Sequence, residues 1–348
     1  MVDFEVYWTA AARARAAEPL YRAEDGHYQF KYLPAFAVLA IPVSLVPLPA
    51  AKAVWFAVSV ALVAVVLALS VAVLPGRLKP RWVLVAVAIV AMGKFYGHEL
   101  VLGQVNLLFL FVVLAALVSL SGAREPTAGL LLALAVTVKP YAVIFGPWLV
   151  ARRRAAAAAA FGAGLVAIAA LPMLVYGVGG TVALHVDWWH TVAGSTAPNL
   201  TNADNVSIAG MYAKWLGDGA LVRPLVVVTS LALLALAAFA CARQRRLPQP
   251  HVLEGALLLT LVPLLSPQGW DYVFLVATPA IVLLANYESR LPTTVRILSG
   301  AAVLTIGLSL YDVMGRAFYA RFMALSIVTV CFVILVAALV TVRLRRIA

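Results

Sequence analysis

The chain has 348 residues, 64% of them hydrophobic and only 11% charged, with a formal net charge of +12 and a mean hydropathy of +1.01. No soluble domain of this length carries that composition. The basic residues sit in short clusters between apolar runs, which is a topological placement, so nucleic acid is excluded as a partner. Cys241 and Cys331 both lie inside apolar runs and read as small buried hydrophobes, not as a disulfide or metal site. The Ala- and Arg-rich composition points to a GC-rich bacterial genome.

The first 34 residues form a charged, aromatic prelude holding five of the fourteen acids: Asp3, Glu5, Glu18, Glu24 and Asp25. Residues 33–48 are apolar but carry Pro34, Pro42 and Pro47, which suits a short surface helix better than a full crossing. Apolar spans follow at about 51–74, 82–97, 105–120, 155–176, 221–241, 296–311 and 322–342. Two further apolar regions are broken in the middle, 128–150 at Lys139-Pro140 and 253–285 at residues 266–271. Proline frees backbone groups that survive at membrane depth only against protein or a wet cavity, so each region reads as two short helices folded back on themselves. The expected architecture is therefore an all-α, multi-pass integral membrane protein, a single domain over 1–348 with about 11 membrane-associated helices.

The basic clusters Arg77-Leu78-Lys79-Pro80-Arg81, Arg152-Arg153-Arg154, Arg243-Gln244-Arg245-Arg246 and Arg343-Leu344-Arg345-Arg346 are expected on the cytoplasmic side, with the C-terminus. Residues 1–50, 94–104, 177–220, 266–272 and 312–321 then face outward. Those segments hold eleven acids: the five of the prelude, then Glu99, Asp187, Asp204, Asp218, Asp271 and Asp312. The inner loops hold Glu125, Glu254 and Glu288. Because residues 1–32 would start outside with no preceding helix to carry them across, a missing first transmembrane helix is expected, or else translocation of a short tail.

Several polar residues invite a chemical reading, each beside a plainer one. Asp3 and Glu5 form an acid-x-acid pair that shares a face if extended and diverges by about 200° on a helix. Either carboxylate can serve as a general base, or the pair simply starts a solvated helix. Lys139, eleven residues into an apolar stretch, faces a cavity or partner, or snorkels to the interface. Gln104 and Asn106 open an apolar helix and bind a sugar or polar headgroup, or join helices. The segment 177–220 is expected as a long outer loop carrying His185, Asp187, Trp188, Trp189 and His190, then Asn205 and Ser207. The two histidines lie five apart, off the i,i+4 ligand spacing, so no metal is assigned. Trp270-Asp271-Tyr272 combines ring and acid as sugar sites do, and as membrane interfaces do.

The order of these motifs along the chain is more specific than any one of them. Asp3-Phe4-x-Val6-Tyr7-Trp8-x-Ala10-Ala11, Pro19-Leu20-Tyr21 and Phe30-x-Tyr32-x-Pro34 resemble the first outer loop of glycosyltransferase family 87. Gly103-Gln104-x-Asn106, Lys139-Pro140, Asn205-x-Ser207-x-x-Gly210 and Ser266-Pro267-x-x-Trp270-Asp271 extend the resemblance to about residue 285. It implies a GT-C-type helical fold, a polyprenyl-phosphate sugar donor, and a glycolipid or glycan acceptor at the outer face of a bacterial plasma membrane, with no cofactor. Mannose is the sugar it favours. Asp3, with Glu5 beside it, matches the first-loop acid that deprotonates the acceptor hydroxyl for an inverting, in-line attack. With no metal-ligand pattern in the sequence, cations are left to neutralise the departing phosphate, and Lys31, Lys94, His98 and Lys139 are the candidates. Tyr32, Gln104, Asn106, Asn205, Ser207, Trp270 and Asp271 would line the sugar or lipid-phosphate pocket. Tyr272 stands where members of the family often carry histidine, so no histidine role transfers there. Broken helices and an intramembrane lysine also suit a transporter or lipid flippase. Against that reading, the polar residues gather in outer segments and the two halves show no sequence repeat.

Overall fold

The computed structural model describes residues 1–217, 219–243 and 249–345; Asp218, Gln244, Arg245, Arg246 and Arg346 of the reading above lie outside them. The protein is all-α, 81% helical with no strands among the described residues. Five helices are long and apolar enough to cross a bilayer: Leu48–Ala72, Arg81–Leu102, Val222–Ala242, Asp271–Arg290 and Ile327–Leu344. A sixth span arises if Ala155–Ala170 and Met173–Asn199, bent by 89° at their junction, count together. Five more apolar helices have 10–17 residues: Asn106–Ser121, Glu125–Val138, Pro140–Ala151, Pro250–Leu265 and Thr293–Leu308. A 16-residue helix rises about 24 Å, against a hydrocarbon core of roughly 30 Å.

Two compact units make up the chain, Met1–Val65 with His98–Ala197 and Val66–Gly97 with Pro198–Ala348. The first unit begins with the helix Val2–Arg15, which has Asp3 and Glu5 in its first turn and Arg13 and Arg15 in its last, each complementing the helix dipole. Phe4, Tyr7, Ala11 and Ala14 repeat at three- and four-residue spacing and form its buried stripe. That stripe packs on Pro34–Leu39 and Ile41–Leu45, the short helical pieces expected from the prolines of residues 33–48. The Ala-rich helix Ala155–Ala170 lies close against Glu125–Val138 because small residues let the backbones meet. A Cβ on Gly129 would sit 2.1 Å from the Ala157 carbonyl oxygen, and one on Gly164 2.6 Å from the Ala133 Cβ. Glu125–Val138 ends at Lys139, held extended (φ −138°, ψ 104°) ahead of Pro140, so the expected break is present.

In the second unit Pro250–Leu265 is buried all round and packs on Ile327–Leu344. Thr293–Leu308 approaches Arg81–Leu102 closely, where a Cβ on Gly307 would meet the Val90 carbonyl oxygen at 2.6 Å. Arg343, part of the cluster expected on the cytoplasmic side, is 1% exposed, and its Nε donates to Glu254 Oε1 at 3.0 Å.

Several expected boundaries move. The span expected over 155–176 stops at Ala170, because Leu171-Pro172 redirects the chain. The expected outer loop 177–220 is largely helical: Met173–Thr196 runs on through a kink at Gly177 (φ 66°), followed by Ile208–Leu216. Its residues from Val178 to Thr196 contain no proline and keep helical spacing, with Val178, Val182, Val186 and Trp189 on one exposed stripe. At the chain's end, Ser326 (φ 53°) separates Arg316–Ala324 from Ile327–Leu344 within the span expected at 322–342.

Candidate active site

The first helix decides the fate of the acid pair. On Val2–Arg15 the two carboxylates diverge, and they do different things. Glu5 turns outward to an exposed ion pair with Lys52 at 2.8 Å. Asp3 is half-buried, and its Oδ2 accepts from Gln104 Nε2 at 2.6 Å. Burial raises the Asp3 pKa above its ordinary value of 3.8, opposed by the Gln104 hydrogen bond and the charges of His27 and Lys139. A carboxylate whose pKa is raised in this way is a stronger base than a solvated one.

Gln104 is the hub of this site. Its Oε1 lies 2.7 Å from the Tyr7 hydroxyl and 3.3 Å from that of Tyr32, and the hydroxyls lie 2.8 Å apart, so two phenolic protons are shared among three contacts. With the oxygen facing the two phenols, the amide offers its nitrogen to Asp3. The turn that aims Gln104 needs Gly103, whose φ of 73° is left-handed and whose absent Cβ would lie 2.8 Å from the Phe4 Cβ. Tyr32 stacks on Phe36, and the Lys139 ammonium sits 5.4 Å from the Tyr32 ring centre. Lys139 thus reaches the Asp3 site from its helix break, and its charge acts on both Asp3 and Glu99. Lys31 also lies within the field of Asp3; burial lowers its pKa and the Asp3 charge raises it.

Beneath this cluster is a residue that sequence reasoning left among the generic outer acids. Glu99 is fully buried and accepts from Asn106 Nδ2 at 2.7 Å and from the Leu107 amide at 2.9 Å. It therefore caps the amides that open Asn106–Ser121, where the helix dipole favours a carboxylate. Asn106 is buried at 0% exposure and serves this joint, the helix-joining reading of the sequence. The signal was present, since an acid within an apolar helix needs a partner. His98, one residue earlier, is exposed on the helix surface.

The remaining candidates belong to the second unit, where they hold one another. Asn205, fully buried, donates to the Pro267 and Asn199 carbonyls at 2.9 and 3.0 Å and accepts from the Ser207 amide at 3.1 Å. Ser207 caps Ile208–Leu216 by accepting from the Gly210 amide at 2.9 Å. The Val206 amide donates to the Gly269 carbonyl at 2.8 Å, and Asn205 bridges Trp270. A Cβ at Gly210 would strike the Asn205 side chain at 2.8 Å, and one at Gly269 the Pro263 carbonyl at 2.3 Å. The two motifs are the halves of one clasp. Beside it, Lys94 Nζ pairs with Asp271 at 2.9 Å and donates to the Tyr319 hydroxyl at 3.0 Å, both charges almost fully buried. Lys214, absent from the sequence reading, donates to the Ala203 and Asn205 carbonyls at 2.8 and 2.7 Å and tightens the same loop.

The chain resembles known proteins in a consistent way. The model of glycosyltransferase family 87 matches residues 30–267, a stretch that includes Tyr32, Gln104 and Lys139 and begins after Asp3. The chain is also 30% identical over 321 residues, 88% of its length and 71% of the relative's, to a polyprenol-phosphate-mannose-dependent alpha-(1-2)-phosphatidylinositol pentamannoside mannosyltransferase of Mycobacterium tuberculosis (strain CDC 1551 / Oshkosh). No solved structure matches. A polytopic α-helical chain with a family match across more than half its length leaves one assignment, and the protein belongs to glycosyltransferase family 87.

Proposed function

We propose that the protein transfers a sugar, mannose in the first instance, from a polyprenyl-phosphate donor to a glycolipid or glycan acceptor at the extracytoplasmic face of a bacterial plasma membrane, on a GT-C-type fold. The observation that carries this reading is the Asp3 cluster: a half-buried carboxylate fixed by Gln104, with Lys139 and Lys31 close enough for their charges to act on it. In the proposed step Asp3 takes the proton of an acceptor hydroxyl. That oxygen forms a bond to the anomeric carbon as the bond from that carbon to the phosphate oxygen breaks. The polyprenyl phosphate leaves with the electron pair, and the configuration at the anomeric carbon inverts.

Each residue contributes something physical. The Gln104 hydrogen bond to one oxygen of Asp3 fixes the carboxylate, leaving Oδ1 as the atom aimed at the acceptor. The Lys139 and Lys31 ammonium groups stabilise the charge that grows on the departing phosphate, and their effect is large because the surroundings are partly buried. The relative's dependence on polyprenol-phosphate mannose and its pentamannoside acceptor support the choice of donor and acceptor class.

The test is incubation of the purified chain with synthetic polyprenyl-phosphate mannose and a mannosylated glycolipid. A glycolipid product larger by one hexose is expected. Release of no product from any lipid-linked sugar, together with movement of that lipid across vesicle membranes, would replace the transferase with a flippase.

A further inference from the structure

A cavity of about 290 Å³ opens along the flank of the first helix that Asp3 does not occupy. Val2, Glu5, Thr9 and Arg13, at three- and four-residue spacing on one helical stripe, form one wall; Asp25, Tyr28 and Phe30 form the other. The second wall is shaped by Gly26, whose left-handed φ of 57° turns the segment Ala23–Tyr28 back toward the helix. Its volume is at the lower end for small-molecule sites, which run from roughly 300 Å³ upward.

The chemistry of the lining is balanced. Arg13 and Asp25 form a forked ion pair, with Arg13 Nη2 to Asp25 Oδ1 at 2.8 Å, and Glu5 is neutralised by Lys52 at 2.8 Å. The Arg13 hydrogen bond holds the Asp25 carboxyl below its usual range, so it stays an ionised acceptor. A phosphate would meet two carboxylates here and no uncommitted cation, which excludes the donor's headgroup. A neutral polyol instead meets alternating donors and acceptors in the guanidinium, the carboxylates and the Thr9 hydroxyl. The Tyr28 ring, 51% exposed, offers a flat apolar face to the C–H side of a sugar.

We infer that this cavity is a subsite for a neutral sugar residue of the acceptor glycan, adjoining the one whose hydroxyl Asp3 deprotonates. The inference rests on the transferase reading for its acceptor. Position supports it: the cavity wall begins at Val2, next to Asp3 in the chain, and Asp3 lies about 100° round the same helix from that residue.

Two variants test it, Thr9→Trp, which fills the cavity, and Tyr28→Ala, which removes the ring. Binding of soluble α-linked mannobiose to the detergent-solubilised protein is read by saturation-transfer NMR, and the KM values for donor and acceptor are measured separately. Both variants are expected to weaken the mannobiose signal and raise the acceptor KM by about tenfold or more, with donor KM and polyprenyl-phosphate binding unchanged. An acceptor KM and mannobiose signal equal to those of the wild type overturn the subsite, and so does a parallel rise in donor KM. If the wild-type chain transfers no sugar, the transferase reading falls. The presence of a mannobiose signal and its loss in Thr9→Trp still decide the subsite by themselves.

Discussion

At the scale of single residues, the site turns on which atom of Gln104 faces Asp3. The two tyrosine hydroxyls face the amide oxygen, so the nitrogen binds the carboxylate and favours its charged form. Burial acts in the opposite direction and is the larger effect, leaving the Asp3 pKa above 3.8. A general base works only when deprotonated, so with Asp3 as the proposed base kcat/KM is expected to be high above this pKa and to fall as pH drops through it. Replacing Gln104 by Leu removes an interaction that lowers the pKa. The acid limb of the kcat/KM profile should therefore move to higher pH, with kcat reduced at neutral pH. An unmoved acid limb would show that Gln104 does not position the base. Asp3 itself was visible in the sequence only through its place in a motif order. Its pairing with Gln104, 101 residues away, is a tertiary fact that no local pattern encodes.

At the scale of elements, the broken stretch 128–150 and the start of the helix at Asn106 were legible, because Pro140 and the polar Gln104-x-Asn106 triplet interrupt apolar runs. The helix Met173–Thr196 was not. Its tryptophans, histidines and aspartate resemble loop chemistry, and only the stripe from Val178 to Trp189 betrays the helical period. The clasp of Asn205, Ser207, Gly210 and Gly269 was legible as two motifs but not as one joint, since side chains recognised as polar were read as ligand contacts. Helix contacts built from small residues make a sharper prediction. Gly129→Ala places a methyl on the Ala157 carbonyl and should cost about 1–3 kcal/mol, read as a lowered Tm in detergent. Gly162→Ala, where a Cβ meets nothing within 4 Å, should leave Tm unchanged or slightly raised. Equal Tm shifts in both would show that backbone contact is not what joins these helices.

At the scale of the whole molecule, composition alone established a polytopic membrane protein, and five to six helices have the length and apolarity to cross. The expected sidedness comes from the basic clusters and is testable by labelling. Asp187→Cys is expected to react with a membrane-impermeant maleimide from outside intact cells, and Arg153→Cys only after permeabilisation, in a Cys241→Ser background. The reverse pattern would invert the topology and with it the face on which transfer occurs. The account as a whole rests on Asp3 acting as the base of a lipid-linked sugar transfer. The most direct measurement compares wild type with Asp3→Asn, which keeps the shape and the burial but loses the basic oxygen, using polyprenyl-phosphate mannose as donor. A fall in kcat of about 10²-fold or more, with donor affinity retained, is the predicted result. Transfer at the wild-type rate by Asp3→Asn would contradict it.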